Sequence, residues 1–336
     1  MKVCIVGAGA IGGFIGSRLA MAGHSVSAFA RGATLQALRQ HGWRLRQAGQ
    51  VHTAPARASH HADELGGHDL VVLAVKSHSL PGVAPHVERL LGPHTWVLPA
   101  MNGVPWWFGR GVPALEGAPL TSVDPGGVVS KAISFARVIG CAVYTSASTP
   151  EPGLVEHNTG NTLVVGEPGG GASERVSRLA RVLEQAGFDV ALSADVRRDV
   201  WHKLWLNLTL NPVSALTGAS THRVLADPLV RDFCSAAMRE ASAVGARIGC
   251  EIDEQPEDRH AMMLELGSMK PSMLQDVEAG RPLELDAIVG AVREIAQHLG
   301  VATPNIDALL GVTRLFARTR GLYPPPSIGA RAQSAR

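Results

Sequence analysis

One lysine and two asparagines recur at a spacing that would place them on one face of a helix. Residues 201–217 have the sequence WHKLWLNLTLNPVSALT, and within them Lys203, Asn207 and Asn211 stand at positions i, i+4 and i+8. Residues four apart share one side of an α-helix, so the three polar side chains would form a stripe. A positioned lysine can give a proton to a reacting oxygen, and amide side chains can hold a polar substrate. Spacing alone leaves a second interpretation open, in which the lysine tip reaches solvent and the asparagines bond locally.

A second candidate site lies at the N-terminus, where glycines are closely spaced. Residues 7–12 match the pattern GxGxxG and are Gly7, Ala8, Gly9, Ala10, Ile11 and Gly12. The pattern follows a predicted strand and opens a predicted helix, which is the context in which it binds a dinucleotide. Gly7 permits a tight turn, Gly9 lets the backbone approach the pyrophosphate, and Gly12 lets the helix pack on the strand. The phosphates would then meet free amide groups at the positive end of the helix dipole.

The residue after the second predicted strand favours one nicotinamide cofactor over the other. NAD enzymes usually place Asp or Glu about 20 residues past the glycines, where the carboxylate bonds the ribose 2′-hydroxyl. This chain has Phe29, Ala30 and Arg31 at that point. A guanidinium can pair bidentately with a 2′-phosphate, so Arg31 favours NADP(H), with an ordinary surface arginine as the alternative.

The elements that must position these residues fall into two regions. Up to residue 193, apolar runs alternate with helical segments, which is typical of a parallel sheet with crossover helices. The stretch 137–167 differs, because turn residues between its strand-like runs predict added antiparallel strands. From residue 195 helical periods dominate, at 195–216, 228–248, 257–268, 284–299 and 304–318. The chain is therefore predicted to contain an α/β Rossmann-like domain over 1–193, an all-α domain over 194–323 and a loose tail over 324–336.

Bulk properties exclude several classes of protein. The 31 basic and 29 acidic residues leave a net charge of +2, too small a field to suggest nucleic acid as a partner. The histidines and the four cysteines show no metal-ligand spacing, and Cys4 and Cys141 lie in apolar runs that predict burial. No apolar run approaches the ~18 residues of a membrane span. We therefore expect a cytoplasmic protein without a metal that acts on a small molecule, and the apolar helical region is compatible with a homodimer.

Taken together, these segments resemble the ketopantoate reductase (2-dehydropantoate 2-reductase) family over nearly the whole chain. The matching pieces are GAGAIGG, Arg31, AVKS with Lys76, MNG with Asn102, KLWLNLTLNPVSALTG, SMLQD, and LELD with Glu284. Their order and spacing make the match specific. The resemblance implies a Rossmann domain followed by a helical domain like the 6-phosphogluconate dehydrogenase C-terminal domain. It also implies NADPH-dependent reduction of 2-dehydropantoate to (R)-pantoate, a step of pantothenate and coenzyme A biosynthesis.

The resemblance also implies roles for single residues. Lys203 matches the proton donor to the ketone, Asn207 and Asn211 match residues that hold substrate, and the SMLQ segment with Ser272 and Gln275 matches the part that binds its other end.

Three further residues match positions beside the cofactor. Lys76, Asn102 and Glu284 match residues that border the nicotinamide and ribose or orient the lysine. Asp286 lies two residues past Glu284, and on a helix the two would point apart, so only one of them can serve the site. The resemblance favours Glu284.

Some features depart from the family pattern. Thr221 stands where a further substrate asparagine is expected, and after Asn102 the chain continues with bulky Trp106 and Trp107 and a longer segment over 117–136. These departures concern the substrate more than the reaction, so a paralogous reductase of another small 2-oxo acid remains an alternative. A dinucleotide-binding or redox-sensing protein without turnover is a third. The basic pair at 197–198 is predicted to lie on a solvated helix face.

Overall fold

The computed structural model describes residues 1–265 and 267–324, which form two compact units. The first unit comprises Met1–Lys203 with Ile248–Cys250, and the second comprises Leu204–Arg247 with the chain from Glu251 onward. The division falls inside a long helix that begins at Val196, so the domain boundary near residue 193 stays a prediction. The tail expected over 324–336 lies, beyond its first residue, outside the described residues.

The strands of the first unit form two sheets. They are β1 Lys2–Val6, β2 Ser25–Phe29, β3 Trp43–Gln47, β4 Gln50–Ala54, β5 Arg57–Ser59, β6 His68–Leu73, β7 Leu91–Pro99, β8 Gly140–Glu151, β9 Leu154–Gly166 and β10 Asp189–Ser193. One sheet has the order β5-β2-β1-β6-β7 and is parallel throughout. The other has the order β10-β9-β3-β4, with β8 paired antiparallel to β9. The predicted parallel sheet and the added antiparallel strands are both present.

The helices follow in chain order. They are α1 Ala10–Met21, α2 Gly32–His41, α3 Leu80–Glu88, α4 Val128–Ala132, α5 Glu174–Gln185, α6 Val196–Thr217, α7 Thr221–Ala226, α8 Pro228–Arg247, α9 Pro256–Glu265, α10 Ser272–Glu278, α11 Ala291–Leu299 and α12 Pro304–Thr319, with a π-helix at Asp286–Gly290. The described part of the second unit contains helices and no strand, so the predicted fold class is confirmed. No described helix is long and apolar enough to cross a membrane.

Helix α1 lies between the two sheets, and its glycines allow that packing. A Cβ atom on Gly12 would lie 2.0 Å from the Gly7 carbonyl oxygen, at the end of β1. On Gly13 it would lie 2.4 Å from Val155 of β9, and on Gly16 it would lie 2.6 Å from Trp43 of β3. The helix backbone therefore touches both sheets, and this holds the turn at residues 7–9 against the ends of the strands.

Helix α6 carries the predicted polar stripe on an otherwise buried surface. Trp205 and Leu208 are buried, and the Trp205 indole donates a hydrogen bond to the Met238 carbonyl oxygen of α8 at 2.7 Å. Pro212 lies inside the helix, where it cannot donate to the carbonyl one turn earlier. The observed bounds differ from the prediction by one residue at each end.

Candidate active site

The turn between β1 and α1 has the geometry of a phosphate-binding loop. Gly7 has a φ of +91°, a conformation that favours glycine, and its amide donates to the Phe29 carbonyl oxygen at 3.2 Å. Gly9 is the N-cap of α1 and contributes no side-chain cap, and a Cβ placed on it would meet no atom within 4 Å. Open space therefore faces the uncapped amides of the first helical turn. The loop fits a dinucleotide pyrophosphate.

The two glycines predict opposite effects of adding one methyl group. Gly9→Ala is expected to leave the melting temperature unchanged. It should weaken the binding of NADPH by about 5- to 150-fold, because the added methyl group would crowd the pyrophosphate at a cost of ~1–3 kcal/mol. Gly12→Ala is expected to lower the melting temperature, because its Cβ would overlap the Gly7 carbonyl oxygen. Calorimetry and a cofactor-fluorescence titration measure both effects.

Gly82→Ala is the matched control, since a Cβ there also meets nothing within 4 Å but lies in α3. If the Gly9→Ala protein bound NADPH as tightly as the Gly82→Ala protein, the loop would not be part of the cofactor site.

Arg31 stands at the end of β2 with its guanidinium exposed. It is the N-cap residue of α2 and contributes no side-chain cap to that helix. Across residues 1–265 and 267–324 it has no side-chain hydrogen bond or ion pair, so the charge is available to a ligand. An uncommitted guanidinium at this point fits a ribose 2′-phosphate.

Lys203 and Asn102, which are far apart in the sequence, meet in the first unit. The lysine Nζ donates to Asn102 Oδ1 at 2.8 Å in a partly buried setting, and it lies 5.6 Å from the centroid of the Tyr144 ring. Both neighbours favour the charged ammonium, one by accepting a hydrogen bond and the other through its ring face. Helix α6 therefore presents the Lys203 amine beside the loop that follows β7.

The Cys141 thiol lies near the same ammonium, and it is almost fully buried. Burial raises the pKa of Cys141 to about 12, while the charge of Lys203 acts in the opposite direction. The thiol is therefore protonated at neutral pH, and it lines the pocket as an apolar side chain rather than acting as a nucleophile.

A pocket opens beside Asn102 within the first unit. Residues of the loop after β6, the segment after β7 and strand β8 line it, among them Ser77, Met101, Trp106, Trp107, Val123 and Cys141. Lys76 is half-buried and is the N-cap residue of the short turn at Ser77–Ser79, to which it contributes no side-chain cap. The turn lies at the carboxyl end of the parallel sheet, where ligands of such folds bind. Sequence reasoning had assigned no role to Ser77 or to the two tryptophans.

The two asparagines of α6 have free amide groups. Asn211 is buried, with 4% of its surface exposed, and Asn207 is half-buried. Neither side chain hydrogen-bonds to another residue in the described part of the chain. A buried amide without a protein partner is costly, so a ligand or water is expected to satisfy it.

Two acidic residues near α11 have different surroundings in the second unit. Glu284 is buried, with 6% exposed, just before the π-helix at Asp286–Gly290. Asp286 accepts a hydrogen bond from the Tyr323 hydroxyl, and burial together with this carboxylate raises the pKa of Tyr323 above its usual value. Asp286 thus has a structural partner, and the helix expected from residue 284 begins instead with a π turn, a form common at functional sites.

The remaining predicted substrate residues lie at the start of α10. Ser272 and Gln275 are exposed, and the Gln275 amide donates to the Lys270 carbonyl oxygen at 2.9 Å. Thr221 is buried, and its backbone amide donates to the Met269 carbonyl oxygen at 2.9 Å. The residue that replaces the expected asparagine thus holds the segment leading to Ser272.

One sequence-based expectation is wrong. Arg197 does not lie on a solvated helix face: its Nε donates to the Phe108 carbonyl oxygen at 3.1 Å and its Nη2 donates to the Arg110 carbonyl oxygen. Burial lowers the pKa of this guanidinium. Its neighbour Arg198 is exposed, as expected.

A Rossmann-like unit with an open glycine loop, and a lysine held by an asparagine, define a dinucleotide-dependent oxidoreductase. Comparison with known proteins narrows the class. Residues 3–109 match the model of the ketopantoate reductase PanE/ApbA family, and residues 195–317 match the model of its C-terminal part. The 2-dehydropantoate 2-reductase of Mesorhizobium japonicum is 44% identical over 96% of this chain and 100% of its own length. The chain therefore belongs to the ketopantoate reductase family.

Solved structures agree with this assignment. A candidate ketopantoate reductase of Ralstonia solanacearum MolK2 superimposes with a TM-score of 0.93 at 51% identity, covering 96% of this chain and 99% of that one. A D-mandelate dehydrogenase solved with NADH shares the fold, with a TM-score of 0.81 at 21% identity, covering 96% and 100%.

Proposed function

We propose that this protein reduces 2-dehydropantoate to (R)-pantoate with NADPH, as a step of pantothenate and coenzyme A biosynthesis. The observation that carries the proposal is the 2.8 Å hydrogen bond from Lys203 to Asn102, which holds a charged amine beside a pocket at the end of the parallel sheet. The 44% identity to a 2-dehydropantoate 2-reductase supports the choice of substrate.

Several residues of the chain have separate roles in the proposed reduction. The loop at residues 7–12 and Arg31 would hold NADPH, which would supply a hydride to the carbonyl carbon of the 2-oxo acid. Negative charge then grows on the carbonyl oxygen, and the Lys203 ammonium stabilises it and gives up one proton to form the hydroxyl. Asn102 keeps the lysine in place through the hydrogen bond to its amine. Buried apolar neighbours such as Trp107 and Cys141 exclude water from the pocket wall.

The free amides of α6 are proposed to bind the substrate. Asn207 and Asn211 follow Lys203 on the same helix face, one and two turns further on. Ser272 and Gln275 would bind the other end of the molecule, and Lys76 and Asn102 would border the nicotinamide and its ribose. Neutral donors and acceptors of this kind suit a hydroxyl and a carboxylate.

Arg31 supports NADPH rather than NADH as the cofactor. The D-mandelate dehydrogenase that shares this fold was solved with NADH, so the fold alone does not choose between the two. At the end of β2 this chain offers a guanidinium without a described partner and no carboxylate that would repel a 2′-phosphate.

Arg31→Ala is expected to weaken NADPH by roughly 10- to 100-fold, because one charge-assisted pair contributes ~1.5–3 kcal/mol. Binding of NADH should change little, since it has no 2′-phosphate. Fluorescence titration of both cofactors measures the two affinities, and Arg181→Ala, an exposed arginine on α5, is the control. Equal weakening of NADPH and NADH would contradict the assignment.

A panel of 2-oxo acids assayed by NADPH oxidation separates the proposal from its two alternatives. Preference for 2-dehydropantoate supports it, preference for another member of the panel supports a paralogous reductase, and tight NADPH binding with no turnover supports a sensor. A homodimer and a cytoplasmic location remain predictions, and light scattering on a sizing column measures the oligomeric state.

A further inference from the structure

The chain segment that follows Asn102 departs from the family pattern and is tightly packed. We define the aromatic segment as residues 106–110, which comprise Trp106, Trp107, Phe108, Gly109 and Arg110. Trp107 has 2% of its surface exposed and Phe108 has none. Two turn hydrogen bonds, from the Phe108 amide to Pro105 and from the Arg110 amide to Trp107, fix the backbone at 3.0 and 3.1 Å. The segment is therefore a rigid continuation of the loop that carries Asn102.

The aromatic segment is bound to the first two turns of α6. Arg197 donates from Nε to the Phe108 carbonyl oxygen at 3.1 Å and from Nη2 to the Arg110 carbonyl oxygen. The Phe108 ring stacks on Trp201, with centroids 5.7 Å apart and planes at 27°. A guanidinium that donates to two backbone carbonyls, together with a ring stack, fixes both the rotation and the position of α6 against the aromatic segment.

A third contact lies where β8 packs against both α6 and the aromatic segment. A Cβ on Gly140 of β8 would lie 2.5 Å from Val196, the first residue of α6, and 3.2 Å from the Trp107 ring. Strand, helix and aromatic segment therefore meet without a gap at this point.

Lys203 and Asn102 are thus connected in two ways, by their own hydrogen bond and by the contacts between the aromatic segment and α6. Asn102 precedes the aromatic segment by four residues, and Lys203 follows Trp201 by two. The hydrogen bond between them joins the same two elements that Arg197 and Phe108 join. If the aromatic segment shifts against α6, the distance from the lysine to the asparagine must change.

We propose that Arg197 is a positioning residue, which acts through the aromatic segment to hold the Lys203 amine on Asn102. The proposal rests on the reductase function proposed above, because it concerns delivery of the proton. It gives Trp106 and Trp107 a role that the family resemblance does not supply. Arg197 touches neither substrate nor cofactor in this assignment.

The test compares Arg197→Ala, Arg197→Lys and the control Arg198→Ala, an exposed neighbour on the same helix. A displacement of about 1 Å can cost ~10²-fold in rate, so Arg197→Ala is expected to lower kcat by about 10- to 100-fold. KM and the Kd for NADPH should change little. Arg197→Lys can reach only one of the two carbonyls and should fall between Arg197→Ala and the wild type, and Arg198→Ala should match the wild type.

A second readout requires neither substrate nor cofactor. The Asn102 hydrogen bond favours the charged form of Lys203, so its loss should move the pH midpoint of the amine's reactivity to a lower value. Pulse labelling of Lys203 with an amine reagent across pH, read by mass spectrometry on the free protein, measures this midpoint. Within the first unit the Cys141 thiol and the Tyr144 ring also face the amine, and both remain in every variant. The alkaline limb of kcat should move to lower pH in parallel.

The outcomes separate positioning from mere stability. A lower labelling midpoint in Arg197→Ala, partly restored in Arg197→Lys, supports the proposal even if 2-dehydropantoate proves not to be the substrate. A lower melting temperature with an unchanged midpoint and pH profile overturns it. If Arg197→Ala does not fold, Arg197→Lys and Phe108→Leu, which removes the ring stack but keeps an apolar side chain, decide by the same midpoint.

Discussion

Replacing Lys203 with alanine is expected to lower kcat by about 10²- to 10⁴-fold, the usual contribution of a positioned general acid. The amine lies 2.8 Å from Asn102 and is the only group on its helix face that can carry a proton to the carbonyl oxygen. NADPH should still bind, because its phosphates are proposed to bind the loop at residues 7–12 and Arg31 rather than Lys203. Single-turnover kinetics and a cofactor-fluorescence titration measure the two effects separately.

Lys203→Arg distinguishes proton donation from electrostatic stabilisation. Arginine keeps the positive charge but does not give up its proton in proteins. If proton transfer matters, Lys203→Arg should stay close to the alanine variant; a rate near the wild type would show that charge alone suffices. Lys131→Ala, an exposed lysine of α4, should behave as the wild type. Loss of NADPH binding together with the fold in Lys203→Ala would make the lysine structural instead.

The glycine loop could be predicted because its chemistry restricts the residue type. A turn with positive φ at Gly7 and a helix that touches the preceding carbonyl at Gly12 both require glycine, so the spacing itself carries the information. The same constraint applies at Gly13 and Gly16, where α1 meets the second sheet. Those two positions had no predicted role, because the second sheet itself was only partly predicted.

Strands β3 and β4 were missed because their burial is too slight to produce an apolar pattern. All but the last residue of β4 are exposed, and β3 buries only alternate residues such as Trp43 and Leu45. The pairing that orders β3 joins it to β9, with Arg44 opposite Leu154, and so depends on contacts far along the chain. Such strands form because of tertiary contacts rather than local preference.

Arg197 was misjudged for a related reason. Its partners are backbone carbonyls 87 and 89 residues away, and a backbone acceptor leaves no signature in the sequence. Trp106 and Trp107 could be recognised as departures from the family pattern, but the stacking of the adjacent Phe108 on Trp201 of α6 could not be foreseen. The stripe of Lys203, Asn207 and Asn211, by contrast, depends only on helical spacing, and the observed α6 contains all three.

Recognition of the substrate hydroxyl is the second large effect expected of this enzyme. 2-Dehydropantoate carries a hydroxyl group at C4, and 2-oxo-3,3-dimethylbutanoate is the same molecule without it. Asn207 and Asn211 have no hydrogen-bond partner in the described part of the chain, and Asn211 is buried. A substrate that leaves such groups unpaired loses their hydrogen bonds while their desolvation cost remains.

We therefore expect kcat/KM to be higher for 2-dehydropantoate than for its deoxy analogue by about 10²-fold or more, since sites built to bond a hydroxyl discriminate strongly. Removing the amide should remove the preference. Asn207→Ala and Asn211→Ala are expected to slow the hydroxylated substrate far more than the deoxy one, and the variant with the larger loss identifies the residue that binds the hydroxyl. Steady-state assays of the two substrates with the wild type and both variants form a complete cycle. Equal kcat/KM values for the two substrates in the wild type would exclude 2-dehydropantoate as the preferred substrate and favour a paralogous 2-oxo acid reductase.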